Sequence, residues 1–282
     1  MISKCRKVNT LKFKNKMDMH VHTDNSFDAR DAAIKLCEKA YDEKLRAISF
    51  TDHTETDSFN EKEGNRTLTN SYFDAIKARD VYVGSVIVAA GIELGQPHYN
   101  LSLSQKILSK FDYDIVIASI HNLRDREDFS QINYNDVNLD IDELMKEYFE
   151  EVLNLARQAN YDVVAHLTYP LRYIVGEYGK SVDLNKFSEI IDEILKTIIE
   201  RDKALEINSS GLRQKIGRPM PDYDIIKRYR DFGGKKITIG SDAHRTEDLG
   251  SGIEDCMEMA LKAGFTHICL YQSRESLLVP ID

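Results

Sequence analysis

Imidazoles and carboxylates are the side chains that divalent metal ions take from a protein, and this chain concentrates them in one kind of place. Seven of its eight histidines, with Asp28, Glu93 and Asp242, stand at or just past the ends of short apolar runs. The series is His20 and His22 in MDMHVHT, Asp28, His53 in SFTDH, Glu93 in AAGIEL, His121 in ASIH, His166 in VVAH, and Asp242 and His244 in GSDAH. His98 joins by position alone, after a Gly-Gln-Pro turn, and His267 has no place in the series. The donors are nitrogen and oxygen without sulfur, which suits Zn, Mn or Fe and argues against copper(I) or iron–sulfur clusters. Leaving His98 aside, these ligand candidates outnumber the three or four protein ligands of one catalytic zinc, so two or three clustered ions are implied. Such clusters generate hydroxide near neutral pH and clamp the oxygens of phosphoryl transfer.

Each residue has a plainer reading beside this one. His20 and His22 are i and i+2 on a strand end, so both rings point to one side, and Asp18 is available to hold one of them. Asp28 reads equally as a ligand or as the N-cap of the helix it opens. A lone His53, His121 or His166 is as readily a core histidine. Their shared place at strand ends is what favours ligation. Glu93 ends an apolar strand, where an unpaired carboxylate is costly, so it either bridges two cations or meets an Arg or Lys. Asp242 and His244 repeat the i, i+2 spacing and would close two neighbouring sites. Arg172 in HLTYPLRY, Arg213 in EINSSGLR and Arg245 after His244 are candidates for holding a phosphate, because a guanidinium meets it with two parallel donors. The plain alternative for each is solvent or a rim ion pair.

Bringing residues so distant in sequence together is a task for the elements between them. Short Val/Ile-rich runs predict strands over Lys16–Val21, Arg46–Thr51, Ser85–Leu94, Tyr113–Ile120, Tyr161–His166, Ala204–Asn208, Lys236–Ser241 and Thr266–Tyr271. Helical spacing predicts helices over Asp28–Lys44, Tyr72–Val81, Asp140–Asn160, Lys186–Arg201, Tyr223–Phe232 and Ile253–Ala263, with Gly233, Gly234 and Gly264 as stops. The polar segment Arg124–Leu139 reads as a loop. Regular alternation implies a parallel sheet, either a barrel or a doubly wound sheet. The chain has no Gly-rich phosphate loop after an early strand. A barrel opens every strand C-terminus onto one face, which lets all these residues meet.

The chain has 282 residues, 42% hydrophobic and 30% charged, as expected of one globular domain over 16–282 behind a basic leader over 1–15. Its 38 basic and 47 acidic residues leave a net charge of −9, which disfavours long nucleic acids as partners. No apolar run reaches the roughly 20 residues of a membrane span. The four cysteines, Cys5, Cys37, Cys256 and Cys269, form no C-x-x-C pair and read as reduced thiols of a cytoplasmic protein. Nothing in the sequence fixes the oligomeric state.

HVH, TDH, the IE strand end, SIH, VVAH and GSDAH, in this order from His20 to His244, resemble the PHP (polymerase and histidinol phosphatase) family. EINSSGLR and ITIGSDAHR resemble its histidinol-phosphatase branch. The resemblance implies a distorted (β/α)7 barrel with a trinuclear metal centre. One ion would take His20, His22, Glu93 and Asp242. A second would share Glu93 and take His121 and His166, and a third would take Asp28, His53 and His244. Some relatives have a histidine where this chain has Asp28, which would make the third site more anionic here. The implied activity is hydrolysis of L-histidinol phosphate by a metal-activated hydroxide, with Arg172 and Arg213 on the phosphate. A metal-bound water, Asp242 or His244 would protonate the leaving alkoxide. The rivals are a phosphoesterase of the same family acting on a nucleotide or phosphotyrosine, and a metal-binding protein without activity.

Overall fold

Seven parallel strand positions ring an apolar interior. In chain order the strands are β1 (Met17–Val21), β2 (Ala47–Phe50), β3 (His53–Glu55), β4 (Ile87–Gly95), β5 (Ile115–Ser119), β6 (Val163–Val164), β7 (Ala204–Asn208) and β8 (Ile237–Gly240). They pair in the order β1-β2-β4-β5-β6-β7-β8, and β3 continues the line of β2 along the far half of β4. The ring closes between β1 and the segment after β8, through a Val21–Ala243 bridge. The His22 amide donates to the Ala243 carbonyl at 2.9 Å, and the Asp242 amide to the His20 carbonyl at 2.8 Å. This is the distorted (β/α)7 barrel that the motifs imply. The computed structural model describes residues 12–282, so the expected leader over 1–15 lies mostly outside the described residues.

The helices are α1 (Ala33–Asp42), α2 (Glu61–Val81), α3 (Leu101–Leu108), α4 (Ile141–Gln158), α5 (Ser188–Glu200), the single turn α6 (Ser210–Arg213), α7 (Tyr223–Asp231) and α8 (Ile253–Ala263). The amphipathic spacing does what it predicts. In α5, Ile191, Ile194, Leu195 and Ile198 fall at i, i+3, i+4 and i+7, and all are buried. Each such side chain contributes about 1.5–3 kcal/mol when fully buried. Asp140 caps α4 by accepting the Asp142 and Glu143 amides, and Gly264 ends α8 in the left-handed region at φ 97°.

Four expectations need correction. The first helix begins at Ala33, not Asp28, and its N-cap position is Ala32, so Asp28 is free of a capping role and sits in a turn. The second helix begins eleven positions earlier than Tyr72, because Asn60 caps it by accepting the amides of Lys62 and Glu63. The strand expected over Tyr161–His166 shrinks to Val163–Val164. The run Thr266–Tyr271 is not a barrel strand. It forms β9 (His267–Gln272), paired antiparallel with β10 (Glu275–Pro280). Ser273 and Arg274 turn that hairpin with φ of 50° and 67°, the left-handed pair a two-residue turn requires. Arg124–Leu139 is indeed without helix or strand.

Candidate metal centre

Nine side chains converge at the C-terminal mouth of the barrel. His20 and His22 leave β1, Asp28 follows on the next loop, and His53 heads β3. Glu93 lies near the end of β4, and His121 and His166 follow β5 and β6. Asp242 and His244 follow β8. His20, His22, Glu93, His121, His166 and Asp242 are all buried, and Glu93 has no exposure at all. Among the described residues four groups of possible ligand atoms lie within 4.8 Å of one another: His20, His22 and Asp242; Glu93, His121 and His166; His22, His53 and His244; and His53, Glu55 and His121. Asp28 stands at the solvent side, its carboxylate 3.1 Å from His244 Nε2 and 3.8 Å from His53 Nε2. Glu93 is central. Its Oε1 lies 3.1 Å from His166 Nε2 and 3.3 Å from His121 Nε2, and its Oε2 lies 3.4 Å from His20 Nε2 and 2.8 Å from His53 Nδ1.

The electrostatics are those of a site built around positive charge. Burial pushes the Glu93 carboxyl up, but His20, His53 and His121 outweigh it and hold the group well below the usual carboxylate range. Asp242 is likewise held well below it, burial being overcome by His22, His20 and His244. Burial opposes the charged form of His20, yet Glu206 and Glu93 raise it well above the usual imidazole range, as Glu55 and Glu93 do for His121. His22 goes the other way, pushed well down by burial and by the charges of His53 and His244. Glu93 Oε2 and His53 Nδ1, though close, are not aligned as a hydrogen bond, and each is left without a partner among the described residues. Burying such groups unpaired costs several kcal/mol. The Nε2 atoms of His20 and His22 face each other at 3.1 Å, and those of His53 and His244 at 3.4 Å. Two imidazole lone pairs so close are satisfied by a cation. The donor set and these orphaned atoms fit divalent metal ions.

Carboxylates behind the cluster orient the rings, and sequence reading missed the main ones. Glu206, inside β7, sets Oε1 at 2.6 Å from His20 Nδ1 and accepts the His166 amide on Oε2 at 2.7 Å. It thereby fixes which nitrogen of His20 faces the centre. Glu55 does the same for His121 through Nδ1 at 2.9 Å. Asp52 accepts from Ser26 Oγ at 2.8 Å, and Ser26 stands 3.2 Å from His22 Nδ1. Asp18, expected to hold a ring, instead accepts from the Ser241 amide and hydroxyl and from the Gly250 amide, so it pins the β8 end and not a histidine. The close approach demands glycine. A Cβ on Gly240 would sit 2.3 Å from His20 Cβ and 2.6 Å from Glu206 Oε1, and one on Gly95 would sit 1.8 Å from Glu55 Oε2. Asp242 itself adopts φ 54°, a left-handed conformation that Asp and Asn tolerate best after glycine.

A cavity of about 490 Å³ opens over the cluster, lined by His53, His121, His166, Asp242, His244, Arg172, Tyr169 and Tyr173 among others. Arg172 places Nη1 3.9 Å from Asp242 Oδ2. Arg213 donates both terminal nitrogens to backbone, to the Ser241 and Asp242 carbonyls at 2.6 and 2.8 Å, so it braces the ligand loop. Arg245 is exposed and paired with Asp248 at 2.6 Å. All three arginines line a neighbouring groove with Asp28, Asp242 and His244, but only Arg172 lines both. His98 is outside the site. It is buried elsewhere against Glu151 at 2.6 Å.

Residues 18–210 match the PHP domain family. A probable histidinol-phosphatase of Thermotoga maritima is 30% identical over 260 residues, covering 90% of this chain and 95% of that protein. The histidinol-phosphatase of Lactococcus lactis is 26% identical over 261 residues, covering 91% and 94%. The crystal structure of histidinol phosphate phosphatase from Lactococcus lactis, complexed with zinc, L-histidinol and phosphate, superposes with a TM-score of 0.82 at 24% identity, covering 93% of this chain and 99% of that one. At that identity the likeness establishes the barrel fold.

Proposed function

The chain belongs to the PHP family, and from that premise we propose that it hydrolyses L-histidinol phosphate to L-histidinol and phosphate, a late step of histidine biosynthesis. The observation that carries the reading is the imidazole–carboxylate cluster opening on a cavity whose wall also holds Arg172. The relatives named histidinol-phosphatase, which align with about nine-tenths of the chain, supply the leaving group.

Two or three divalent ions, Zn, Mn or Fe, fit the donors. His20, His22, Glu93 and Asp242 would hold one, Glu93, His121 and His166 a second, and Asp28, His53 and His244 a third. Bound there, such ions acidify water to a nucleophile at neutral pH and offset charge on the phosphoryl group. The chain does the rest. Arg172 holds the phosphate by its guanidinium and is free to do so, since among the described residues its ion-pair partner, Asp242, stands 3.9 Å away. Arg213 keeps Asp242 in register from behind. Asp242 turns Oδ1 to His22 and Oδ2 toward Arg172, and its neighbours hold it ionised, so it serves as a ligand while the proton for the leaving alkoxide comes from His244, raised above the usual imidazole range, or from water. No side-chain nucleophile is required. Cys37 and Cys269 are buried, and burial pushes both thiols up to about 12. Their unpaired state suits a cytoplasmic setting, and among the described residues no helix is long and apolar enough to cross a membrane.

The test is phosphate release from L-histidinol phosphate beside a panel of nucleotide, phosphotyrosine and simple alkyl monoesters, with protein loaded separately with Zn, Mn or Fe. The expected result is a kcat/KM for histidinol phosphate well above every other ester. Preference for another ester would move the chain to a different substrate within the family. No turnover by folded, loaded protein would leave a metal-binding protein.

A further inference from the structure

The cavity over the cluster is also lined by residues that belong to no ligand group. Its wall carries Phe27, Asp128, Ser130 and Gln131, the last three from the loop over Arg124–Leu139. Three carboxylates line the cavity, Asp28, Asp128 and Asp242. Two of them belong to the imidazole cluster, at 3.1 Å from His244 and 3.3 Å from His22. Asp128 is the third and belongs to no cluster. Its Oδ1 accepts the Ser130 amide at 2.7 Å, and its Oδ2 makes no hydrogen bond among the described residues. The loop that carries it is pinned, not free. Asn122 and Asp128 pair as an antiparallel bridge, the Phe129 amide donates to the His121 carbonyl at 2.9 Å, and buried Phe129 and Tyr134 anchor it in the core.

Two tyrosines line the same cavity beside the cluster. The Tyr169 ring lies 4.8 Å from that of His166 and 5.3 Å from that of His121. Its hydroxyl meets that of Tyr173 at 2.9 Å, and the Arg172 guanidinium lies 5.6 Å from the Tyr173 ring. A monoester anchored by its phosphate at Arg172 therefore runs its organic part along Tyr169 and Tyr173, in the cavity that Asp128 shares. The organic part of L-histidinol phosphate carries an ammonium that is charged at neutral pH.

We propose that Asp128 is the counter-ion of the substrate's ammonium group and the residue that selects amine-bearing phosphomonoesters. This rests on the phosphatase reading above. A carboxylate fixed by one oxygen and open at the other offers a charge-assisted acceptor to a primary ammonium, held in place before the substrate arrives.

The experiment compares Asp128→Asn with the unaltered chain on two pairs of substrates. Asparagine keeps the oxygen that accepts the Ser130 amide and removes the charge, so the loop stays pinned. On L-histidinol phosphate kcat/KM should fall roughly 10- to 100-fold, the range of a hydrogen bond to a charged group. On p-nitrophenyl phosphate, which has no cation, it should stay within about twofold. Phosphoethanolamine and ethyl phosphate differ by the ammonium, and the variant should narrow the preference between them by a similar factor. That second pair tests Asp128 even in an enzyme whose own substrate is another ester, so failure of the histidinol reading and failure of this one are distinct. An equal fall on charged and uncharged esters, or no change on either, overturns the assignment.

Discussion

Buried carboxylates stand at both ends of the barrel strands, and the two ends use them in opposite ways. At the starts, Asp114 and Asp162 are buried and fully engaged. Asp114 accepts the Ala90 and Ser273 amides and pairs with Arg79. Asp162 accepts the Val116 amide and pairs with Arg274 from the β9–β10 turn. At the other end, Glu93 and Asp242 face imidazoles, and Glu93 Oε2 has no hydrogen bond among the described residues. In sequence the two kinds look alike, a carboxylate beside a Val/Ile run. What separates them is strand direction. In a parallel barrel the starts of the strands carry stability and the ends carry chemistry. The partner marks the difference, since a guanidinium satisfies the strand-start carboxylates outright, whereas among its imidazoles Glu93 keeps one oxygen without a hydrogen bond among the described residues.

That contrast can be broken most sharply at Asp242. Asp242→Asn keeps the left-handed backbone and should lower kcat/KM by about a thousandfold or more, the loss of several kcal/mol of charge stabilisation, with an unchanged circular dichroism spectrum. Near-normal turnover would remove Asp242 from the chemistry. One layer back, Glu206→Gln should weaken metal affinity by roughly 10- to 100-fold, read by chelator competition, with activity restored at high metal. Unchanged affinity would make Glu206 a packing residue. At the opposite end, Asp162→Ala should destabilise the fold by about 2 kcal/mol in a denaturant titration, since it strands the Val116 amide, while kcat of the folded fraction stays as it was. A loss of kcat there would erase the division between the two ends.

The subtlest effect is on protons. In the metal-free chain His20 and His121 titrate above the usual imidazole range, despite burial, because Glu206 and Glu55 respectively, together with Glu93, favour the charged form. A metal takes only the neutral ring, so loading must expel protons, and apparent affinity must rise as pH rises through that raised range. Calorimetry in two buffers of different ionisation enthalpy should show release on binding. Identical heats in both would contradict it.

Much of this site was legible because metal ligands carry their own label. An imidazole or carboxylate closing an apolar run is out of place in a core, and strand ends repeat the signal from His20 to His244. Glu206 carried the same signal in ALEIN and Glu55 stood beside TDH, but each acts on a ligand and not on the centre, and no spacing rule marks that. Asn60 with Glu63 three residues on was a readable start for α2; the polar face of that helix hid its first turns from a search for apolar periodicity. Strand β9 lies where its run places it, but outside the barrel, for a deeper reason. Its Ile-Cys-Leu-Tyr run is composed like a barrel strand, and local composition does not encode whether a strand's partner runs parallel or antiparallel.

A metal titration tests the centre most directly. Strip the protein with chelator, return Zn, Mn or Fe in measured equivalents, and follow phosphate release from L-histidinol phosphate. Turnover should be absent at zero equivalents and reach a plateau at about two or three per chain, the number the clustered donors can hold. Full turnover by the stripped protein, or a plateau at one equivalent, would contradict it.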